Sequence, residues 1–260
     1  MNVVLLAAGF GTRIAAVIGD WPKALVEVGG ATLLDHLLGR VRALPGVERI
    51  TLVTNGHFAD QFRAWRASAD AGDVDIVDDG ARSADTRLGA VADLALVLDR
   101  AEAAPTLVLA SDNLLGFPLG GLVDAGRRGG SVVAVRENPD PDDRRRRGNV
   151  ELDGDGRVLR FVEKPDVPFS SLSAAPIYLL SAPACAAVGA YLAAGGEADA
   201  PGHFMAWLCE REPVHGWFMP GPRLDVGNPE SLEAARAALR AEPARYGVAP
   251  TGAVDDDGTA

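Results

Sequence analysis

The sequence predicts an α/β protein: a doubly wound, mostly parallel, Rossmann-like sheet with a small β-rich insertion. Through the first 136 residues short apolar runs alternate with longer amphipathic ones, as strands and covering helices do in such a sheet. The first run, Val3–Ala7, is continuously apolar, which fits a strand buried on both faces, and it leads into a glycine-rich turn. Beyond residue 136 the alternation gives way to a hairpin signal and shorter strands.

Taken in order, Val3–Ala7 is the first strand and Thr32–Leu44 the first long helix, with Leu33, Leu34, Leu37, Leu38, Val41 and Leu44 forming its apolar stripe. Arg49–Thr54 reads as a strand, Phe58–Ser68 as a helix and Val74–Val77 as a strand. Leu88–Arg100 is helical, Thr106–Ala110 a buried strand, Leu119–Arg127 a helix and Ser131–Arg136 a strand. Glu137–Arg147 is a polar loop whose Arg144–Arg147 run reads as solvated charge beside acidic neighbours. Asn149–Leu152 and Arg157–Val162 flank Asp153-Gly154-Asp155-Gly156, a hairpin turn. Ala175–Leu180 is a strand, followed by helices at Ala182–Ala194 and Gly202–Glu210. Val214–Met219 and Arg223–Val226 are short strands and Asn228–Arg240 a closing helix. One domain over 1–245 is expected, divided near residue 136, with 246–260 as a flexible acidic tail.

Composition narrows the function. With 48% apolar residues the chain can build a core, and a net charge of −11 excludes a broad nucleic-acid or anionic-membrane surface. No apolar run reaches the about 18 residues a membrane span needs, and the opening MNVVLLAAG lacks a basic leader, so a cytoplasmic protein is expected. Cys185 and Cys209 form no disulfide framework and read as reduced apolar residues. His36, His57, His203 and His215 lack zinc-site spacing. The basic residues are divided unevenly: 23 arginines against two lysines, Lys23 and Lys164, each next to a proline.

The first chemistry-bearing segment is Leu6-Ala7-Ala8-Gly9-Phe10-Gly11-Thr12-Arg13. Such a strand-to-helix turn is either a plain turn or an anion cradle, in which backbone N–H groups converge and Arg13 adds a forked donor. It matches neither GxGxxG nor GxxxxGK[ST]. Ten residues past Arg13, Lys23 in Trp21-Pro22-Lys23 can fold back to offer a compact charge to the same anion. Asp112 follows a buried strand, where open α/β sheets place ligands, and Asp225 ends a short strand unless it caps the next helix. Two carboxylates with phosphate oxygens suit Mg²⁺.

The order LAAGFGTR, WPK, TLVLASDN (106–113), FVEKP (161–165), SAAPIYLL (173–180) and LDVGNPESLEA (224–234) resembles the sugar-phosphate nucleotidyltransferases over residues 2–240. The resemblance implies a nucleotide-binding part in 1–136 and a sugar-phosphate-binding part in 137–245. It implies that Leu6, Ala7, Ala8, Gly9, Gly11, Thr12 and Arg13 bind the nucleoside triphosphate, Lys23 its α-phosphate and Gly89 its base. Asp112 and Asp225 would hold Mg²⁺, with Arg13, Lys23 and Asp112 as the catalytic set. Lys164 would hold the acceptor phosphate and Glu163 sugar hydroxyls, with Asn113 and Gly148 also at the acceptor; Tyr178 is either part of that pocket or plain core. The sequence departs from the family where Thr86-Arg87 replaces a glutamine before Gly89, and where Ile14–Ile18 follows the GTR. The expected substrates are an NTP and a sugar 1-phosphate, with a homo-oligomer as the common family state. Two rivals stand beside this: cytidylyl transfer to phosphocholine or a phosphonate, and a non-catalytic regulatory subunit of the same fold.

Overall fold

Strand β1 (Asn2–Leu6) leads through a short helix α1 (Ala15–Ile18) to the two-residue strands β2 (Glu27–Val28) and β3 (Ala31–Thr32) in a computed structural model that describes residues 1–69 and 71–247. Then come α2 (Leu33–Arg42), β4 (Arg49–Thr54), α3 (Ala59–Ser68), β5 (Val74–Asp78), α4 (Ala90–Leu98) and β6 (Thr106–Ala110). β7 (Asn113–Leu115), α5 (Gly120–Gly126) and β8 (Ser131–Glu137) complete the first half. The second half runs α6 (Pro141–Arg144), β9 (Gly148–Leu152), β10 (Val158–Glu163), β11 (Leu172–Leu180), α7 (Ala182–Ala193), α8 (Pro201–Cys209), β12 (Val214–Phe218), β13 (Arg223–Asp225) and α9 (Pro229–Ala241).

The strands of the first half are parallel in the order β6-β1-β4-β5, as their apolar runs suggest. The sheet turns antiparallel where β11 enters beside β6 and carries β9, β10 and β8 with it. Helices cover both faces: α2, α3 and α5 pack over one core cluster, and α4, α7 and α8 over the other. A third, smaller cluster joins Ile14, Val28, Leu33, Leu114, Val226 and Leu239, tying the glycine loop's exit to β7 and α9. No helix among the described residues is long and apolar enough to cross a membrane.

Boundaries shift for local reasons. Thr32 is a cap rather than helix: its Oγ1 accepts from Asp35 N at 3.1 Å while Asp35 Oδ2 accepts from Thr32 N at 3.0 Å. The helix expected from Leu88 starts at Ala90, because Gly89 takes φ +98°. A helical turn, α6, stands inside the expected polar loop, started by Asp140 and by Pro141 in its first turn. Tyr246, placed in the tail by the sequence reading, is buried in the third cluster, so the packed chain extends past residue 245. The rest of that tail, 248–260, lies outside the described residues.

One buried acid on α4 makes stability depend on pH. Burial, then the charge and hydrogen bond of Asp79, and then Asp199 push the Asp93 carboxyl up to about 7. The native state therefore holds a proton that the unfolded chain releases near pH 4, so stability falls as pH rises from about 4 through about 7. Asp93→Asn is expected to remove this fall and to stabilise the protein at pH 8 by about 1–2 kcal/mol relative to pH 5. Denaturant melts at the two pH values measure it.

Candidate active site

The glycine loop leaves β1 between β4 and β6. Ala7 N donates to Val53 O at 2.8 Å and Asn55 Nδ2 to Ala8 O at 2.9 Å, which fixes the loop's start. Its exit is pinned by Ile14, fully buried, so the unusual Ile14–Ile18 stretch anchors the loop and then forms α1. Gly9, Thr12 and Arg13 are exposed, and nothing lies within 4 Å of where a Cβ on Gly9 would sit. Gly11 has φ +64°, and a Cβ there would fall 3.1 Å from Lys23 Cγ. Glycine at this position lets the Lys23 stem cross the loop.

Lys23 reaches the far side of that crossing. Its side chain is 16% exposed, and Nζ donates to Asp112 Oδ2 at 2.5 Å. Asp112 is held at the end of β6 by Ser111, whose N and Oγ donate to Leu6 O at 3.1 and 2.8 Å. A cavity of about 50 Å³ opens here, lined by Leu6, Ala7, Gly9, Lys23, Ser111 and Asp112 among others.

Asp225 arrives from 113 residues further along the chain. The ladder of β7 with β13 sets Asp225 opposite Asn113, and Val226 N donates to Asp112 O at 3.0 Å. Asn228, not Asp225, caps α9, so Asp225 is free of that duty. A Cβ at Gly227 would lie 3.4 Å from Arg13 Nη2 and 3.6 Å from Asp225 Oδ1, so both side chains border this glycine. Among the described residues no group of three or more His, Cys, Asp or Glu is arranged to hold a metal. A cation at this two-carboxylate site would draw its other ligands from phosphate oxygens and water, as Mg²⁺ does.

Glu163 and Lys164 end β10 on the antiparallel side. Lys164 has φ 48°, the one positive value outside glycine among the described residues, and its N donates to Arg147 O at 3.1 Å. Strain of this kind on a bulky residue just before a proline persists where surrounding structure enforces it, often at functional sites. The Lys164 side chain is 56% exposed, with Nζ 4.0 Å from Glu163 Oε1. Glu163 is 11% exposed and faces the start of α8, where a Cβ on Gly202 would collide with its Oε2. Burial raises its carboxyl above the usual range, opposed by the charges of Lys164, His203 and Arg147. Burial also raises the Tyr178 phenol, with Glu163 adding to the effect and Arg223 opposing it, so Tyr178 sits near both charged groups while packed in the core.

Two expectations change, for Asn113 and for the Arg144–Arg147 run. Asn113, expected at the acceptor, is 2% exposed and spends its amide internally: Nδ2 donates to Ala110 O and to Asp112 Oδ1, and Oδ1 accepts from Arg223. It therefore positions Asp112 rather than touching substrate. Packing requires glycine at two further expected positions, Gly89 and Gly148, where a Cβ would meet Ala198 O at 2.5 Å or the Phe161 ring at 2.7 Å. The Arg144–Arg147 run is not uniformly solvated, because Arg147 Nε donates to Asp143 Oδ2 at 2.9 Å. Arg223, which the sequence reading passed over, is 4% exposed beside Asp225. Its strand position one residue ahead of the Leu-Asp-Val-Gly turn was the available signal.

The candidate site thus joins a glycine turn after β1, Lys23 and Asp112 at the carboxyl end of the parallel strand β6, and Asp225 brought in by the antiparallel β7–β13 ladder. The chain belongs to the nucleotidyl transferase family, whose model matches residues 2–242. It is 34% identical over 180 residues to the bifunctional protein GlmU of Burkholderia multivorans, a match covering 68% of this chain and 36% of that one. The chain thus spans only about a third of such bifunctional relatives. It is 27% identical over 253 residues to the UTP–glucose-1-phosphate uridylyltransferase AglF of Haloferax volcanii, covering 93% of this chain and 98% of that one. The fold is shared with the inositol-1-phosphate CTP transferase of T. maritima (TM-score 0.74, 17% identity, covering 95% of this chain and 97% of that one). It is shared also with the UTP-bound UGPase of Acinetobacter baumannii (TM-score 0.73, 19% identity, 93% of each chain).

Proposed function

We propose that the chain transfers a nucleotidyl group from an NTP to a sugar 1-phosphate, releasing pyrophosphate. The observation that carries this reading is the Lys23–Asp112 pair beside the glycine loop, with the Glu163–Lys164 pair on the antiparallel side of the same sheet. An oxygen of the acceptor phosphate attacks the α-phosphorus, and the bond to the β-phosphate breaks with its electrons leaving on pyrophosphate. That oxygen is already ionised near neutral pH, so the chain needs no general base and works by positioning and charge.

Gly9, Gly11, Thr12 and Arg13 cradle the triphosphate, and Lys23 neutralises the α-phosphate under attack. Asp112 and Asp225 fit a Mg²⁺ ion, which when bound would offset charge on the triphosphate. In the free protein Lys23 and Asp112 hold each other; a bound phosphate would compete for the lysine, freeing the Asp112 carboxylate, which with Asp225 would hold the cation. Lys164 binds the acceptor phosphate and Glu163 the sugar hydroxyls. The kinship with AglF over nearly the whole chain supports a sugar acceptor.

Lys164→Ala is expected to raise the acceptor KM about tenfold or more while moving kcat by only a few fold, because one charge-assisted contact made in the ground state is lost. Steady-state kinetics with the acceptor varied check this. Pyrophosphate release from five NTPs against sugar 1-phosphates and phosphocholine tests the reading itself. Release with sugar 1-phosphates is the expected result; release with CTP and phosphocholine alone would replace it with the cytidylyl reading, and none at all with the regulatory one.

A further inference from the structure

Beyond Lys164, the acceptor end gathers further guanidiniums. Arg136 lies near the end of β8, Arg147 precedes β9 and Arg223 opens β13; the charge of Arg147 reaches Glu163, and those of Asp225, Arg147, Asp112 and Arg136 reach Arg223. The hub is Asp143 on α6, whose Oδ2 accepts from Arg136 Nη2 at 3.1 Å, Arg147 Nε at 2.9 Å and Asn138 Nδ2 at 3.0 Å. Burial opposes ionisation of Asp143, but the Arg147 hydrogen bond and charge, Asn138 and Arg136 together hold its carboxyl below the ordinary range. One ionised carboxylate is thus shared by two guanidiniums.

Arg147 is the member poised toward substrate. Its Nε is spent on Asp143, which orients the planar head from behind, and its two Nη groups have no hydrogen-bond partner among the described residues. Its main-chain carbonyl accepts from Lys164 N, the next residue Gly148 is paired with Glu163, and its charge reaches the Glu163 carboxylate. Arg223 backs the site with a buried Nε that has no hydrogen-bond partner among the described residues; Asp225 Oδ2 lies 3.8 Å from its Nη1, and the charge of Asp112 reaches it as well. What asks for an anion beside the acceptor motif is the pair of Arg147 Nη groups, which have no hydrogen-bond partner among the described residues. A forked guanidinium held by a second carboxylate suits a planar carboxylate best.

We propose that the acceptor is a sugar-acid 1-phosphate, whose carboxylate is bound by Arg147 as Asp143 orients it, with Arg136 and Arg223 adding positive charge. This rests on the sugar 1-phosphate reading above and narrows its substrate class. Lys164 takes the phosphate and Arg147 the carboxylate, so the two anionic groups of the acceptor are read by different side chains.

Calorimetry on the full chain tests it, with Mg²⁺ and the α,β-methylene analogues of ATP, CTP, GTP, UTP and dTTP in turn. Glucuronic and galacturonic acid 1-phosphates are compared with glucose and galactose 1-phosphates. At least one acid is expected to bind about tenfold tighter than its neutral parent, the scale of a charge-assisted contact. Arg147→Gln is expected to weaken the acid about tenfold more than the neutral sugar, and Arg147→Lys to restore part of the difference. Acids that bind no tighter than their parents, acids that do not bind, or an Arg147→Gln variant that weakens both alike, overturn the proposal. Turnover of neutral sugar 1-phosphates without any advantage for acids would sink this inference alone. Pyrophosphate release only with a non-sugar acceptor would sink the reading beneath it.

Discussion

Asp112→Ala is expected to lower turnover by about 10³-fold or more with the fold retained, a loss on the scale of removing a metal ligand together with a preorganised charge. Asp112 is placed by three independent restraints: Ser111 clamped to Leu6 O, Asn113 Nδ2 on its Oδ1, and the main-chain bond from Val226. The Ser111 clamp and the Val226 bond do not use the Asp112 side chain, so the alanine variant keeps the β6–β7 turn while losing the carboxylate and its bond from Asn113. Lys23 then loses its partner in a site where it is 16% exposed. A modest fall in stability, about 1 kcal/mol, should accompany the loss of activity because a partly buried charge is left unpaired. Asp112→Asn separates the two effects: it keeps the size and hydrogen bonding but not the charge, and turnover should fall nearly as far. Steady-state rates and thermal melts on both variants decide this.

Lys23→Ala is expected to reduce kcat by about 10²–10³-fold and to leave the acceptor KM within a few fold, since the lysine acts on charge that builds at the α-phosphate. Lys23→Arg is expected to rescue little. The lysine stem crosses the loop 3.1 Å from the Cβ that Gly11 lacks, and its head enters a cavity of about 50 Å³. A planar guanidinium is larger and presents its donors as a fork, so it cannot replace a compact ammonium there. The same reasoning explains why a chain with 23 arginines keeps lysine at this position. An Arg variant with near-normal kcat would show that charge alone suffices.

The parallel strands could be read from sequence because burial on both faces leaves an uninterrupted apolar signature, and β4 and β6 fall on the expected residues. The β7–β13 ladder could not. Each strand is three residues long, and what joins them is a pairing across about a hundred residues that leaves no local pattern. That ladder is what brings Asp225 to Asp112; strand-end position marked each carboxylate in the sequence, but their proximity left no local pattern. The charged residues Lys23, Asp112, Glu163 and Lys164 were each visible in their motifs. Their neighbours Asn113, Arg147 and Arg223 take their roles from tertiary partners: an asparagine emptied of free hydrogen-bonding capacity, and arginines oriented by Asp143 or set beside Asp225. The strained φ of Lys164 was also hidden, because a following proline biases the backbone elsewhere. The packing demands at Gly89, Gly148 and Gly202 come from segments distant in sequence.

The central claim is that one site joins two phosphates and expels pyrophosphate. Phosphorus NMR of the protein with Mg²⁺, an NTP and a sugar 1-phosphate tests it most directly, repeated across the five bases and a panel of neutral and acidic sugars. The account predicts paired diphosphate resonances of a nucleotide-sugar growing in step with free pyrophosphate, and neither without the acceptor. Pyrophosphate or nucleoside diphosphate appearing from the NTP alone, or no new phosphorus bond with any pairing, would contradict it.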